Sequence, residues 1–344
     1  MNKSKKRFLI IGFVLFIALC TVCGGVGYYY FLYPNFAAPK TSYIYIYPEK
    51  NFEYLCRQLE DSVNCLNLRS FKEAAKILKY PENMKTGRYA VEPGTNNYEL
   101  LTNLRRGQQE PTRFTFNNIR LKEDLTNRIS EQLMVTNQEL NALLNDESYC
   151  NSLGFTSATI ETMFIPNTYE VYWNISAEKF IERMKREYDN FWTEDRRNQA
   201  QKIRLTPLEV SILASIIEEE SVMTDEYPTI AGLYINRLYR GIPLQADPTV
   251  KYAIGDFSLQ RVLNEHLRMD SPYNTYLYSG LPPGPIRIPS LKGLDSVLNY
   301  QKHNYLYMCA KEDFSGRHNF AVTLSEHNRN AERYRAELNR RGIR

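Results

Sequence analysis

Twenty-five consecutive residues near the start of the chain, Phe8 to Leu32, carry no charge: FLIIGFVLFIALCTVCGGVGYYYFL. Such a run is stable as a helix in hydrocarbon and costly as a surface in water, so it constrains the fold more than any other segment. At 1.5 Å per residue it crosses a hydrocarbon core of about 30 Å with some tilt. Lys3, Lys5, Lys6 and Arg7 precede it, and Tyr28, Tyr29, Tyr30 and Tyr33 gather at its far end. The basic cluster predicts a cytoplasmic stub over 1–7, and the tyrosines suit the headgroup layer at the outer end of an anchor over 8–33. A cleaved signal peptide is the competing reading. Its apolar region is normally shorter and ends in a small-x-small site, which Gly24-Gly25-Val26-Gly27 imitates poorly. A lipoprotein site at Cys20 or Cys23 conflicts with Leu19 and Val22, where a small residue is wanted. The expectation is a single-pass anchor in the cytoplasmic (inner) membrane, with the rest of the chain outside the cytoplasm.

Composition narrows what that outer part is. Hydrophobic residues make up 43% and charged residues 24%, which excludes bulk disorder. The 43 basic and 39 acidic residues give +4, and four of the basic ones sit in the first seven positions. The remainder is close to neutral, so no nucleic-acid partner is expected. Cys56, Cys65, Cys150 and Cys309 face a compartment that permits disulfides, and their spacings match no zinc pattern. A Cys56–Cys65 bridge and buried free thiols are both open.

After a short spacer, Pro34 to Pro39, the pattern predicts a small α+β module over 34–111. Ser42 to Tyr47 alternates in period two and reads as a strand, and Thr86 to Val91 looks like another. Helices are predicted over 52–59, capped by Asn51, over 71–78, capped by Ser70, and over 97–105, stopped by Gly107. From 112 onward a larger α+β domain runs to 344. It contains a short strand at Thr112 to Thr115, a helical stretch from Lys122 to Leu144, and a charged amphipathic surface helix over 176–203.

Thr206-Pro207-Leu208-Glu209 is a capping box with proline at the first helical position, a strong helix start. The residues after it, VSILASIIEEES, are apolar nearly all round, then close on Glu218, Glu219 and Glu220. Three carboxylates at a helix carboxyl end oppose the macrodipole, so stability alone does not explain them. Glu218 shares a helix face with Ser211, Ala214 and Ser215, all small, which leaves room for something to approach. Glu219 stands above Ile212 and Ile216, and Glu220 above Leu213 and Ile217. Like-charged neighbours, the negative helix end and partial burial each raise a carboxyl pKa, and a carboxyl kept protonated near neutrality suits a general acid. A solvated acidic turn is the plainer alternative. A further helix, capped by Thr224 or Asp225, has Ile230, Leu233, Tyr234 and Leu238 as its buried stripe and Gly241 as its stop. Leu244 to Thr249 reads as a polar loop, and the Pro/Gly-rich segments 271–276 and 280–286 read as rigid cleft-lining backbone.

These segments together resemble the endolytic murein transglycosylases, the YceG-like family. The resemblance rests on Leu213 to Glu220 (LASIIEEE), Ile235-Asn236-Arg237-Leu238, Leu244 to Val250 (LQADPTV), Tyr273-Asn274-Thr275-Tyr276 and Gly280 to Ile286 (GLPPGPI). Upstream, Phe164 to Tyr169 (FIPNTY) fits, and downstream so do His318-Asn319-Phe320 and Glu326-His327-Asn328. Over the anchor and the module, which is similar to the family's LysM-like subdomain, the match is looser. Glu219 departs from the pattern, since relatives carry a basic or polar residue there.

The resemblance implies an α+β enzyme without metal or organic cofactor that cleaves the MurNAc–GlcNAc β-1,4 bond within peptidoglycan glycan strands. The muramoyl C6 hydroxyl, rather than water, attacks C1 and leaves a 1,6-anhydro end, so one acid/base serves both steps. On this reading Glu218 is the catalytic residue, Glu220 tunes it or binds substrate, and Gln245, Asp247, Asn274 and His318 bind substrate in the cleft. The same resemblance implies wall-synthesis machinery as a partner and termination of strand elongation as the outcome. Two readings compete. A membrane-anchored glycan-binding protein would need no poised acid, and a metallohydrolase would use His303, His318 and His327, although no H-E-x-x-H pair exists.

Overall fold

The structure, a computed structural model, describes residues 3–259 and 261–342, so the outermost residues of the stub and of the C-terminal end lie outside the described residues. The chain is mixed α+β and divides into two compact units. One comprises 1–113 with 170–175, and the other 114–169 with 176–344.

The first unit opens with the apolar helix α1, Lys3–Gly27, which passes directly into a π-helical turn, Tyr28–Leu32. A 27-residue stretch, Lys6–Leu32, is long and apolar enough to cross a membrane. Strand β1 (Ser42–Ile46) is followed by α2 (Phe52–Val63), α3 (Leu68–Ile77), β2 (Gly87–Val91) and α4 (Asn97–Arg106). The strands pair antiparallel, from Ser42 opposite Val91 to Ile46 opposite Gly87. The helices begin where asparagines can cap them. Asn51, Asn67 and Asn96 accept from Tyr54, Ser70 and Glu99 backbone N–H groups. Asn67, rather than Ser70, therefore starts α3, because the amide side chain reaches the free N–H groups one turn earlier than the pattern suggested. The core gathers Phe36, Ile44, Leu59, Phe71, Leu100 and their neighbours, and Phe31 from the end of the apolar helix packs against it. Trp173 packs its ring edge-on to Tyr45 and Tyr47, at 5.1 and 4.8 Å between centroids. Cys56 and Cys65 are free thiols. Burial pushes the Cys56 thiol up to about 11, the behaviour of a small apolar core residue.

Strands β3 (Thr112–Thr115) and β4 (Thr168–Val171) pair with one another. Between them run α5 (Lys122–Ser130), α6 (Asn137–Leu144) and α7 (Glu147–Ser152), where one helical stretch over 122–144 was expected. The break falls where Thr136 and Glu139 form a reciprocal capping box that starts α6 afresh. The surface helix expected over 176–203 is likewise two, α8 (Ala177–Phe191) and α9 (Glu194–Lys202), divided by Thr193, which caps the second.

The second unit is centred on α10, Pro207–Glu220, buried continuously from Val210 to Glu218. Both capping-box bonds of Thr206 and Glu209 are present. Around α10 pack α11 (Tyr227–Tyr239), α12 (Asp247–Ile254) and α13 (Leu291–Leu298). A hairpin of β5 (Tyr307–Ala310) and β6 (His318–Ala321), with α14 (Leu324–Arg340) behind it, completes the unit. Two expectations change here. Neither Thr224 nor Asp225 caps α11; Glu226 occupies the cap position and turns its carboxylate to His318 instead. The segment from Leu244 is a loop only as far as Ala246, because Asp247-Pro248 opens a helix with proline in its first turn.

Candidate active site

The three glutamates that end α10 meet three different surroundings. Glu218 is sealed, its side chain 4% exposed. Its Oε1 accepts from the Ser290 backbone N–H at 2.8 Å and from the Ser290 hydroxyl at 2.5 Å, and Arg287 Nε lies 3.5 Å from Oε2. The small face of α10 is a seat for backbone. Ser215 Oγ accepts from the Ile286 N–H at 3.0 Å, and a Cβ added at Gly293 of α13 would collide with the Glu218 carboxylate. Ser211, Ala214 and Ser215 thus let a neighbouring segment approach closely, and the approach expected of a ligand is made by Ser290 and Gly293.

Glu219 is held between two guanidinium groups, Arg120 at 2.6 Å and Arg287 at 2.9 Å. Arg287 also donates to Asn118, and Arg120 lies 4.6 Å above the Phe257 ring. An acidic residue at this position is matched by these two arginines.

Glu220 alone of the three faces two cavities. One, of about 440 Å³, is also lined by Tyr234, Arg237, Gln245, Tyr307 and His318. The other, of about 270 Å³, is lined by Arg120, Lys251, Tyr252 and Phe257. Glu220 and Asp247 belong to both, so the two lobes meet at this pair of carboxyl groups. Tyr234 of α11 donates its hydroxyl to Glu220 Oε1 at 2.6 Å. Burial pushes the Glu220 carboxyl up to about 7, with Asp247 adding to the rise and the Tyr234 hydrogen bond and Lys251 opposing it. Asp247 is bound in the same manner by Tyr276, whose hydroxyl donates to Oδ1 at 2.5 Å.

The supports of this cleft explain the residues expected beside the acid. Arg237 is buried and uses all three nitrogens: Nε to Pro243 O, Nη1 to Leu306 O, and Nη2 to Gln245 Oε1 at 2.6 Å. Gln245, at φ 53°, thereby has its amide oriented, with the Nε2 hydrogens left for a ligand. His318 is fixed by Glu226, which accepts from its backbone N–H at 3.0 Å and pairs with Nδ1 at 2.9 Å. His327 lies on the same cavity, stacked on Tyr307, while His303 bonds the Thr229 carbonyl through Nε2. Of the three histidines raised as metal ligands, His318 and His303 have hydrogen-bond partners of their own, while His327 stacks on Tyr307 and its buried Nδ1 has no partner among the described residues.

Asn274 is not among the lining residues. It is fully buried, donating Nδ2 to the Leu267 and Met269 carbonyls and accepting from the Tyr276 N–H. It shapes the loop from which Thr275 holds the Ala246 N–H at 3.0 Å, just before Asp247. The structure thus brings Glu220, Gln245, Asp247 and His318 together at one cavity, and leaves Glu218 and Asn274 inside the scaffold. Tyr234, Tyr276, Arg237 and Glu226 complete the site. Two of these, Arg237 and Tyr276, lay within the recognised segments, but the residue types alone do not distinguish a core tyrosine from one holding a carboxylate.

Comparison with known proteins follows the same outline. The model of the YceG-like family matches residues 44–333. An endolytic murein transglycosylase of Bacillus subtilis is 33% identical over 226 residues, covering 61% of this chain and 62% of its own length. One of Streptococcus pneumoniae is 27% identical over 371 residues, 98% of this chain and 67% of its own. In structure, a yceG-like protein of Listeria monocytogenes aligns with a TM-score of 0.56 and 25% identity, over 85% of this chain and 99% of that one. With its family match spanning most of the length, the chain belongs to the YceG-like family.

Proposed function

We propose that this chain is a membrane-anchored lytic transglycosylase that cuts peptidoglycan glycan strands internally, with Glu220 as its acid/base. The observation that carries the reading is Glu220 itself, set at the junction of two cavities with its carboxyl pushed up to about 7. A carboxyl of that pKa is substantially protonated at neutral pH and can also take a proton back. Protonated Glu220 gives its proton to the glycosidic oxygen as the C1–O bond breaks. The muramoyl C6 hydroxyl then adds to C1, and the Glu220 carboxylate accepts its proton, which restores the acid. No water enters, so no second catalytic carboxylate is required. Asp247, which lines both lobes together with Glu220, stabilises the positive charge that develops at C1. Gln245 and His318 hold the sugars from the larger lobe.

Glu220 takes the role first expected of Glu218 because a proton donor must reach the substrate oxygen, and Glu218 reaches Ser290 and Arg287 instead. The β1–α2–α3–β2 order of the first unit suits a LysM-like module that touches the same glycan. The names of the relatives support peptidoglycan as the substrate. Nascent strands at the outer face of the cytoplasmic membrane are the natural target of an anchored enzyme, and cutting them would end their elongation beside the synthetic machinery.

The test is product analysis of the full chain with uncrosslinked glycan. Release of 1,6-anhydromuramoyl ends by wild type and their loss in Glu220→Gln support the reading. Reducing muramoyl ends would show water as nucleophile, and binding without cleavage would leave a glycan-binding protein. A reporter active only outside the cytoplasm, fused after the C-terminus, tests the topology.

A further inference from the structure

The apolar helix is not joined to the first unit by a flexible stalk. The chain continues from α1 into the π-helical turn, Phe31 packs against the unit's core, and Asn97 donates to the Tyr30 carbonyl at 2.8 Å. Pro34 bridges to Asn96, and Asn67 donates to the Tyr29 hydroxyl at 2.8 Å. The α2–α3 loop and the start of α4 are therefore tied to residues 29–34.

Each tie carries an exposed apolar side chain. Leu66, in the α2–α3 loop, is 60% exposed and shares a pocket of about 190 Å³ with Tyr29, Tyr33 and Pro34. Tyr98, beside Asn97 on α4, is 50% exposed. If hydrocarbon begins at Phe8, about 20 helical residues bring its far boundary to Tyr28. Residues 29–33 then stand within about 8 Å of that boundary, inside a headgroup layer about 5–8 Å thick. Leu66 lines a pocket with Tyr29 and Tyr33 and shares that depth, and Tyr98 follows Asn97, whose amide holds the Tyr30 carbonyl.

We propose that the first unit rests on the outer leaflet of the membrane its helix crosses, with Leu66 and Tyr98 seated in phospholipid at the headgroup–acyl boundary beside Tyr29 and Tyr33. The inference rests on the anchor reading above. A leucine at this depth gains from leaving water, and a tyrosine keeps its hydroxyl wet while its ring is buried. Continuity with the helix selects lipid as the occupant of the patch, since nothing else is guaranteed to lie at that depth.

The full chain, reconstituted in phosphatidylcholine vesicles with an environment-sensitive fluorescent amino acid at position 66 or 98, tests this. Lipids brominated near the top of the acyl chain should quench both labels at least twofold, while a label at exposed Asn83 is unaffected. Vesicles that float with the protein but leave 66 and 98 unquenched overturn the proposal and spare the anchor. A blue shift without bromolipid quenching assigns the patch to a second copy of this chain and overturns it too. Protein that does not float with vesicles removes the anchor reading, and this proposal with it.

Discussion

The Tyr234 hydroxyl points at Glu220 Oε1 from 2.6 Å, across the gap between α11 and the end of α10. Burial and the neighbouring carboxyl raise the Tyr234 phenol well above its ordinary value, so it remains a donor throughout the working pH range. A donor stabilises the carboxylate, whereas burial stabilises the neutral acid, and the Glu220 value of about 7 is where the opposing influences settle.

Tyr234→Phe keeps the ring and removes that donor. The Glu220 pKa then rises further, because Asp247 and Glu219 still disfavour its charge and only Lys251 still opposes them. For an enzyme that needs the protonated acid, kcat/KM falls as pH rises through this pKa, so the alkaline limb should move to higher pH. A tyrosine that served packing alone would lower the rate equally at every pH.

Glu220→Gln should lower the rate of anhydro-product release by about 10²–10⁴-fold or more, since one group serves both proton transfers, with the melting temperature little changed. Glu218→Gln should do the reverse. It presents an amide to Ser290 and Arg287, and the expected loss is about 1–3 kcal/mol of stability, with activity retained in the folded fraction. Thermal unfolding alongside product assays separates the two; loss of chemistry in Glu218→Gln at unchanged stability would return the acid to Glu218.

Asn274→Ala removes a fully buried side chain that partners three backbone groups of its loop. Unfolding in urea should show a loss of about 2–3 kcal/mol. Weaker glycan turnover with no change in stability would instead make Asn274 a sugar ligand.

Glu161 offers a pH test outside the cleft. It is 6% exposed, and burial pushes its carboxyl up to about 7 from an ordinary 4.5. Between those values the folded chain holds a proton that the unfolded chain has released, so stability falls as pH rises from 4.5 through 7. The full effect is about 3 kcal/mol as an upper bound. Glu161→Gln should match wild type in melting temperature at pH 5 and exceed it at pH 8. Parallel curves would show that Glu161 ionises without cost.

Much of the scaffold was legible because its signals are local. The box of Thr206 and Glu209 starts α10, the alternation of Ser42 to Ile46 marks β1, and Asn51 caps α2. The three glutamates were legible as a conflict with the helix dipole, and their separation onto three faces follows from helical geometry. Which face meets the cleft was not. Small residues along one face invite either a ligand or a neighbouring backbone, and the answer lies with Gly293 and Ser290, distant in sequence. The same holds for Asn274, whose side chain is consumed by carbonyls a few residues before it in a loop that no periodicity describes. The Asp247-Pro248 start of α12 carried a local signal of its own, proline in a first turn after a polar residue, hidden by the surrounding polar loop.

The packing of Phe31 against the core bears on how a water-soluble form should be cut. A fragment starting at residue 40 would discard Phe31, Phe36, which is 1% exposed, and the amide of Asn35 that bonds Asn97. It would open the hydrophobic interior while leaving every residue around Glu220 intact. The seam between greasy segment and folded protein lies instead at Gly27–Tyr28, so that solubility is gained by trimming the helix and keeping its final turn.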